Sequence, residues 1–487
     1  MKILFAASEA APFAKTGGLG DVAGSLPPAL AALGHDVRVV MPRYRAVDPG
    51  AWGLKHAASF RVPLASWNER CDALEGRMGG NVTVYFIDKD VYFDRPGLYS
   101  APQSDYADNA ERFIFFSRAI PELCRALDFR PDIIHCNDWQ TGLVPLYMKK
   151  LYGSHPGLSR AATVFTIHNL GYQGLFRHWD MRLSGLGWDV FTPEGLEFWG
   201  KMNFLKAGLV FSDALTTVSP TYGREIQTPE YGHGLEGVLA KRSADLYGIL
   251  NGIDFDLWDP AQDKALPRTF SAARLAGKEA CRTALGEQAG LPPSGGPVIS
   301  MVSRIVEQKG VDILAKALPE LLSAGARLLV LGTGDEKYQR LLSAAAGRHP
   351  GGMRFFPRFD EQFARLLYAG SDLFLMPSKY EPCGLGQMIA LRYGTVPVVR
   401  KTGGLADTVV DYDPKTGQGT GFVFEEYSAP ALAACVRRAV SVFRDRDAWT
   451  GLVRSGMKQD FSWEHSAKEY VKVYRKARGK RQETENR

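Results

Sequence analysis

The six cysteines, at 71, 124, 136, 281, 383 and 435, include no Cys-x-x-Cys pair. That spacing excludes a zinc knuckle or a disulfide-stapled scaffold and suits a reducing compartment. No apolar run is long enough to cross a bilayer. The start, Met1-Lys2-Ile3-Leu4-Phe5-Ala6-Ala7-Ser8-Glu9, looks superficially like a leader, but its apolar run is short and Glu9 interrupts it. A large charge of one sign is also missing. A net +6 over 487 residues favours anionic small molecules without implying nucleic acid. No cluster of residues stands at metal-ligand spacing, so no metal is expected. What remains is the expectation of a cytoplasmic enzyme that needs neither membrane nor nucleic acid.

One more absence decides a motif. Gly18-Leu19-Gly20-Asp21-Val22-Ala23 fits the G-x-G-x-x-A form of a dinucleotide fingerprint. That fingerprint wants an acidic residue at the end of the second strand. Here the second strand, Val37 to Met41, runs into Pro42-Arg43-Tyr44-Arg45. The nicotinamide reading therefore fails.

What is there is Lys15-Thr16-Gly17-Gly18-Leu19-Gly20-Asp21, between an apolar run (3–7) that predicts a buried strand and a predicted helix over 22–33. A glycine-rich strand-to-helix turn presents backbone N–H groups at a positive helix end, which suits a phosphate, and Lys15 adds a mobile charge. Nearly the same string returns as Lys401-Thr402-Gly403-Gly404-Leu405-Ala406-Asp407, which suggests two similar lobes with something anionic held between them. The length favours two or three domains, and 45% hydrophobic against 23% charged residues is ordinary for a globular chain.

In the first lobe, strands are expected near 37–41, 58–63 and 82–87. The segment from Asp88 to Asp108 reads as a loop or as an aromatic platform for sugar rings. A helix follows at about 109–127. Ile133-Ile134 predicts a short buried strand ending at His135-Cys136-Asn137-Asp138-Trp139, the edge where open α/β sheets bind ligands. Asp138 either accepts from sugar hydroxyls or caps a helix near Thr141. The strand 162–167 ends in His168-Asn169, followed by Gly171-Tyr172-Gln173-Gly174, where His168 is either structural or functional. Residues 175–200 read as an excursion over the cleft, 201–211 as a helix, and 214–218 as another strand. This alternation implies a parallel sheet with helices on both faces.

Asn251-Gly252 marks a plausible hinge. After a loop at 291–297, a second β/α alternation starts at Val298. Its first strand ends in Ser303-Arg304, with Gln308-Lys309-Gly310 just beyond. An Arg fork and a Lys point charge there suit a diphosphate, against the alternative of a solvated turn. Strands at 327–331, 354–356, 372–376 and 396–399 follow. Glu381 stands after the 372–376 strand and before a glycine-rich helix start, where N–H groups of Cys383 to Gly386 can hold phosphate or sugar oxygens. The last helix is expected over 463–478, with the charged tail 478–487 frayed.

Together these strings resemble the bacterial and plastid glycogen and starch synthases, the retaining glucosyltransferases of glycosyltransferase family 5. The resemblance rests on Lys15-Thr16-Gly17-Gly18-Leu19, His135-Cys136-Asn137-Asp138-Trp139, Thr166-Ile167-His168-Asn169, Asn251-Gly252-Ile253-Asp254, Ser303-Arg304 with Gln308-Lys309-Gly310, Glu381-Pro382-Cys383-Gly384-Leu385 and Arg400-Lys401-Thr402-Gly403-Gly404-Leu405, in this order along nearly the whole chain. It implies an α/β GT-B fold, with two Rossmann-like parallel-sheet domains facing a deep cleft. These are expected at 1–245, on the acceptor side, and 246–456, on the nucleotide-sugar side, with a terminal helix in 457–487 returning to the first.

The same resemblance implies the chemistry and the residue roles. Glucose passes from ADP-glucose to the non-reducing 4-hydroxyl of an α-1,4-glucan such as glycogen, with retention. The catalytic set is Glu381, Arg304, Lys309, His168 and Asp138. Arg304 and Lys309 clamp the donor's phosphates, Glu381 holds the transferred glucose, and His168 and Asp138 contact it. The donor is bound by Lys15, Gly17, Gly18, Asp21, Asn251, Phe359, Cys383, Gly384, Leu385 and Gly386. The acceptor side is assigned to Glu9, Tyr172 and Gln173. Phe359 stands where some members carry Tyr near the adenine, which keeps stacking and loses a hydroxyl. Many related transferases carry E-x7-E; position 389 here is Ile389, which favours the synthase branch. The alternatives are a GT-B enzyme using UDP-glucose or a small acceptor, and a degenerate glucan-binding protein.

Overall fold

The apolar run that opens the chain forms β1 (Lys2–Ala6), the middle strand of a nine-stranded sheet. The structure is a computed structural model that describes residues 1–101, 104–292 and 296–485. Pro102 and Gln103 of the aromatic segment, residues 293–295 of the 291–297 loop, and Asn486 and Arg487 of the tail lie outside the described residues. Ile3 to Ala6 are fully buried, as a central parallel strand covered on both faces requires.

The chain continues through β2 (Asp36–Pro42), β3 (Lys55–Leu64), β4 (Trp67–Met78), β5 (Val82–Asp88), β6 (Ile133–Asn137) and β7 (Ala162–Ile167). A small sheet of β8 (Leu175–Arg177), β9 (Glu197–Phe198) and β10 (Lys201–Asn203) precedes β11 (Ala214–Thr217) and β12 (Leu246–Gly248). The large sheet runs β12-β11-β7-β6-β1-β2-β5-β4-β3. It is parallel from β12 to β5, but β4 runs antiparallel to both β5 and β3, so the expected parallel sheet is mixed. In β4 the covered positions Cys71, Ala73, Gly76 and Met78 lie among polar ones, the mark of a strand with one wet face. That pattern offers no apolar run to read. The excursion after β7 likewise holds an antiparallel sheet, β8-β10-β9, and the expected helix at 201–211 begins only at Phe204.

The second sheet comprises β13 (Val298–Val302), β14 (Arg327–Leu331), β15 (Met353–Phe356), β16 (Leu373–Met376), β17 (Val396–Arg400) and β18 (Phe422–Phe424). Its order is β15-β14-β13-β16-β17-β18 and every pairing is parallel. The order reverses beside β13, at the strand ends where such sheets hold ligands.

The chain forms two compact units. The first comprises Met1–Val218, Gly223–Gly252 and the segment from Trp463; the second comprises Ser219–Tyr222 and Ile253–Ser462. The divisions fall later than the expected 245/246 and 456/457. Leu246–Gly248 pairs with β11, and Ile253 donates to the Phe461 carbonyl at 2.8 Å. Asp407 fixes Ser219–Tyr222 in the second unit. It accepts from Ser219 Oγ at 2.6 Å, Thr221 N at 2.9 Å and Thr221 Oγ1 at 2.6 Å.

The terminal helix spans Trp463–Glu485, so the expected frayed tail is helical to Glu485. Its Tyr470 and Tyr474 are fully buried, and it packs on the helix Gly18–Ala32. The basic tail residues find partners within the unit. Lys480 pairs with Asp245, Arg478 with Asp132 at 3.4 Å, and Arg481 donates to the Ser159 carbonyl at 2.9 Å.

Candidate active site

The helix after β1 begins at Gly18 rather than Val22, which places Gly17 at its N-cap. Its first N–H groups have no partner within the helix. A Cβ added at Gly17 or Gly18 would meet nothing within 4 Å among the described residues, so both face open space there. Lys15 is half-exposed and its ammonium pairs with Asp21 at 3.0 Å. Two residues assigned to the donor thus hold each other across one turn.

Asp138 and His168 come together at the ends of β6 and β7. Asp138 adopts φ +54°, a conformation rare for a non-glycine residue, with its N–H bonded to the Thr166 carbonyl at 3.0 Å. Its side chain does not cap the following helical turn. Instead it accepts from the backbone N–H of His168 at 2.8 Å and from that of Asn169. Burial pushes its pKa up to about 7, opposed by those two N–H groups. His168 is buried, and desolvation takes its pKa down to about 3, so its imidazole is neutral. Its Nε2 lies 2.9 Å from Asn137 Oδ1. Asn137 Nδ2 donates to the Ala6 carbonyl at 3.0 Å, which fixes Oδ1 as the atom facing the ring. His168 therefore carries its proton on Nε2 and leaves Nδ1 as an acceptor.

Asn251 is buried, and its Oδ1 accepts no hydrogen bond among the described residues. Tyr172 is exposed. Gln173 is buried, with Nε2 donating to the His233 carbonyl at 3.1 Å and Oε1 accepting from Asn203 at 2.7 Å. Both ends of its amide are engaged within the protein. Glu9 is buried too, with its carboxylate turned into the Lys15–Gly17 loop.

In the second unit Lys309 and Glu381 are brought together. Lys309 Nζ stands 2.6 Å from Glu381 Oε2, and Ser378 Oγ donates to the same oxygen at 3.0 Å. Gly310 makes this approach possible. Its φ is +72°, and a Cβ there would lie 2.0 Å from the Pro377 carbonyl oxygen, at the end of β16. Arg304 is exposed at the end of β13, and its guanidinium has no hydrogen bond or ion pair among the described residues. Phe359 is 84% exposed. Asp360 beside it caps the next helix by accepting from Phe363 N at 2.9 Å and receives Arg358 Nε at 3.0 Å, which leaves the ring presented outward.

Cys383 to Gly386 form the turn into the helix Gly386–Arg392. Gln387, which no local motif marks, holds this turn. Its Nε2 donates to the carbonyls of Cys383 at 3.0 Å and Gly384 at 2.9 Å. Ile389 is buried in the same helix, so no carboxylate stands there.

The two Lys-Thr-Gly-Gly-Leu strings differ in what their glycines face. In the second, a Cβ at Gly403 would lie 1.9 Å from the Glu381 carbonyl oxygen, and one at Gly404 would lie 2.2 Å from that of Cys383. Gly404 N donates to the Glu381 and Pro382 carbonyls, both at 3.1 Å. The second string therefore supports the Glu381 turn by close backbone contact and leaves no room there for an anion. Its Lys401 pairs with Glu425 at 2.6 Å.

Residues 2–241 match the family model described as the starch synthase catalytic domain, and residues 287–450 match that described as glycosyl transferases group 1. A glycogen synthase of Syntrophotalea carbinolica is 49% identical over 478 residues, which cover 98% of this chain and 99% of that one. This chain belongs to the glycogen synthase family. A second member, from Anaeromyxobacter dehalogenans, is 51% identical over 481 residues, covering 98% of this chain and 99% of its own. Among solved structures, the catalytic domain of starch synthase IV from Arabidopsis thaliana, bound to ADP and acarbose, matches with a TM-score of 0.91. The identity is 35%, over 98% of this chain and 99% of that one. The α/β fold is thus the GT-B fold of that synthase. Sucrose-phosphate synthase from Thermosynechococcus elongatus, at 18% identity and a TM-score of 0.61, shares the fold alone. Among the described residues of this synthase-family chain, no helix is long and apolar enough to cross a membrane.

Proposed function

We propose that this chain transfers the glucosyl group of ADP-glucose to the non-reducing 4-hydroxyl of an α-1,4-glucan, with retention, in the cytoplasm and without a metal. The observation that carries this reading is the Lys309–Glu381 pair at 2.6 Å, with the fork of Arg304, unpartnered among the described residues, in the same unit. Arg304 and Lys309 take the donor's phosphates, and Phe359 stacks on its base. As the bond from the anomeric carbon to the phosphate oxygen breaks, negative charge grows on the diphosphate. Cations positioned there favour the transition state over the ground state. Lys309 shifts its hydrogen bonding toward that charge, which frees the Glu381 carboxylate to face the electron-deficient sugar. The acceptor's 4-hydroxyl attacks the anomeric carbon on the face the leaving group departs from. Its proton passes to the departing phosphate oxygen, so that ADP leaves. The neutral His168, an acceptor at Nδ1, and Asp138 orient the glucose hydroxyls. Lys15 and the Gly17–Gly18 turn bind the donor's diphosphate.

The test is glucose incorporation into glycogen from ADP-glucose and UDP-glucose at equal concentration, with and without EDTA. Turnover from ADP-glucose that EDTA leaves unchanged supports the reading. Preference for UDP-glucose overturns the donor assignment, and loss with EDTA overturns the metal-free one. Glycogen binding without incorporation from either donor points to the degenerate binding protein.

A further inference from the structure

Glu9 sits directly after β1 and is only 4% exposed. A carboxylate at that depth needs several donors. Among the described residues, its donors come from the Lys15–Gly17 loop and from Tyr99. Oε2 accepts from the backbone N–H of Thr16 in a short hydrogen bond and from that of Gly17 at 3.4 Å. Thr16 Oγ1 lies 3.2 Å from both carboxylate oxygens. Tyr99 Oη donates to Oε1 at 3.1 Å and is itself 2.7 Å from Ser8 Oγ. The loop closes tightly over this group. A Cβ at Gly20 would lie 2.4 Å from Lys15 Cβ and 3.2 Å from Glu9 Oε2, and Ala11 N donates to the Gly20 carbonyl at 2.9 Å.

These contacts bear on which loop groups a ligand can use. Successive N–H groups in such a turn form a nest for an anion. Here the protein's own carboxylate fills the Thr16 and Gly17 end of the nest from inside. The N–H groups of Gly18 and Leu19, at the start of the helix, lie beyond it. Lys15 lies on the exposed side, paired with Asp21. A glucan hydroxyl would have to displace a donor from Glu9 to reach either oxygen.

We propose that Glu9 is a positioning residue for the Lys15–Gly17 loop: it fixes the loop from within, so that Gly18, Leu19 and Lys15 are held ready for the donor's diphosphate, and it makes no contact with the glucan. The proposal rests on the reading that this loop receives the donor. Gln in place of Glu keeps the function, because its carbonyl oxygen still accepts from Thr16 and Gly17 and its amide donates to the Thr16 or Tyr99 hydroxyl. Ala loses it.

Three measurements on the full chain test this. In amide hydrogen exchange without ligand, E9A raises exchange in the peptide spanning residues 15–20, and E9Q leaves it near wild type. In calorimetry, E9A weakens ADP binding about tenfold or more, and E9Q recovers most of that loss. In steady-state kinetics, E9A raises the KM for ADP-glucose and leaves the KM for glycogen unchanged. A rise in the glycogen KM with ADP affinity intact overturns the proposal in favour of an acceptor contact. Unchanged exchange also overturns it. Should E9A not fold, Y99F removes one of the four donor groups and is expected to shift exchange and ADP affinity in the same direction by less; no shift counts against the proposal. A wild-type chain that takes up no ADP overturns the donor reading, whereas the exchange comparison decides whether Glu9 holds the loop.

Discussion

Lys309 and Glu381 form a partly buried ion pair at 2.6 Å, with side chains 16% and 7% exposed. Removing one partner of such a pair leaves the other charge uncompensated. Lys309→Ala is therefore expected to lower kcat by about 10²–10³-fold, the scale of losing one preorganised group that stabilises transition-state charge. Glycogen affinity should hold, since the partner of Lys309 in the reaction is the diphosphate. Initial rates together with glycogen co-sedimentation check this. Equal losses in both would refute the assignment.

The two glycine strings make opposite predictions. Gly17 is in extended backbone and faces open space, so Gly17→Ala should cost less than about 1 kcal/mol of stability. It should weaken ADP binding if that space receives the donor. Gly404→Ala drives a Cβ to within 2.2 Å of the Cys383 carbonyl oxygen. It should cost about 1–3 kcal/mol, in the range of overpacking, and lower kcat by displacing the Glu381 turn. Urea unfolding and ADP calorimetry on both variants separate the cases. A Gly404→Ala protein with full kcat would show that the contact yields without consequence.

Asp138 ties folding stability to pH. Its folded pKa, about 7, stands above the ordinary 3.8, so the folded state binds the proton more tightly than the unfolded chain. The resulting stabilisation is complete below pH 3.8, falls as pH rises through the interval, and is gone above about pH 7. Wild type should therefore lose stability relative to Asp138→Asn between pH 5 and pH 8, by on the order of 2–3 kcal/mol. Unfolding curves at the two values check it, and a constant difference would count against the raised pKa. His168 should behave in the opposite way. With its pKa at about 3 it stays neutral from pH 5 upward, so its ring resonances should not titrate near pH 6.5.

The sequence is most legible where an apolar run ends in chemistry. β1, β6, β7, β13 and β16 are short buried runs, and Lys15, Asp138, His168, Arg304 and Glu381 follow their ends. A strand covered on both faces announces itself, and its C-terminal end is then fixed. β4 stays hidden because one face is wet and its covered residues are scattered among charged ones. The terminal tail reads as frayed because its lysines and arginines look solvated, whereas their partners, Asp132, Asp245 and the Ser159 carbonyl, lie far away in the chain. The two Lys-Thr-Gly-Gly-Leu strings look alike because identity does not say what a glycine faces. Asn137, Tyr99, Ser378 and Gln387 escape notice for a related reason. Each acts on another functional residue or its loop, and nothing local marks a polar side chain that orients another.

The terminal helix supplies the last prediction. Tyr474 Oη lies 2.7 Å from His135 Nδ1, across 339 residues of chain, and His135 Nε2 lies 2.5 Å from Thr166 Oγ1. Burial takes the His135 pKa down to about 3, so the ring is neutral, with one donor and one acceptor nitrogen, each matched to a hydroxyl. Tyr474→Phe keeps the ring that fills the interior and removes only the hydroxyl. One imidazole nitrogen is then buried without a partner, a cost of about 1–3 kcal/mol. Because β6 also carries Asn137 and leads into Asp138, a loosened His135 would reach the sugar-orienting residues only by moving the strand. The pairings of β6 with β1 and β7 resist that movement. Tyr474→Phe should therefore lower the urea midpoint and leave kcat within about twofold of wild type, a difference of under 0.5 kcal/mol in the barrier. A fall in kcat larger than the fall in stability would instead mean that the terminal helix sets the geometry at Asp138 and His168.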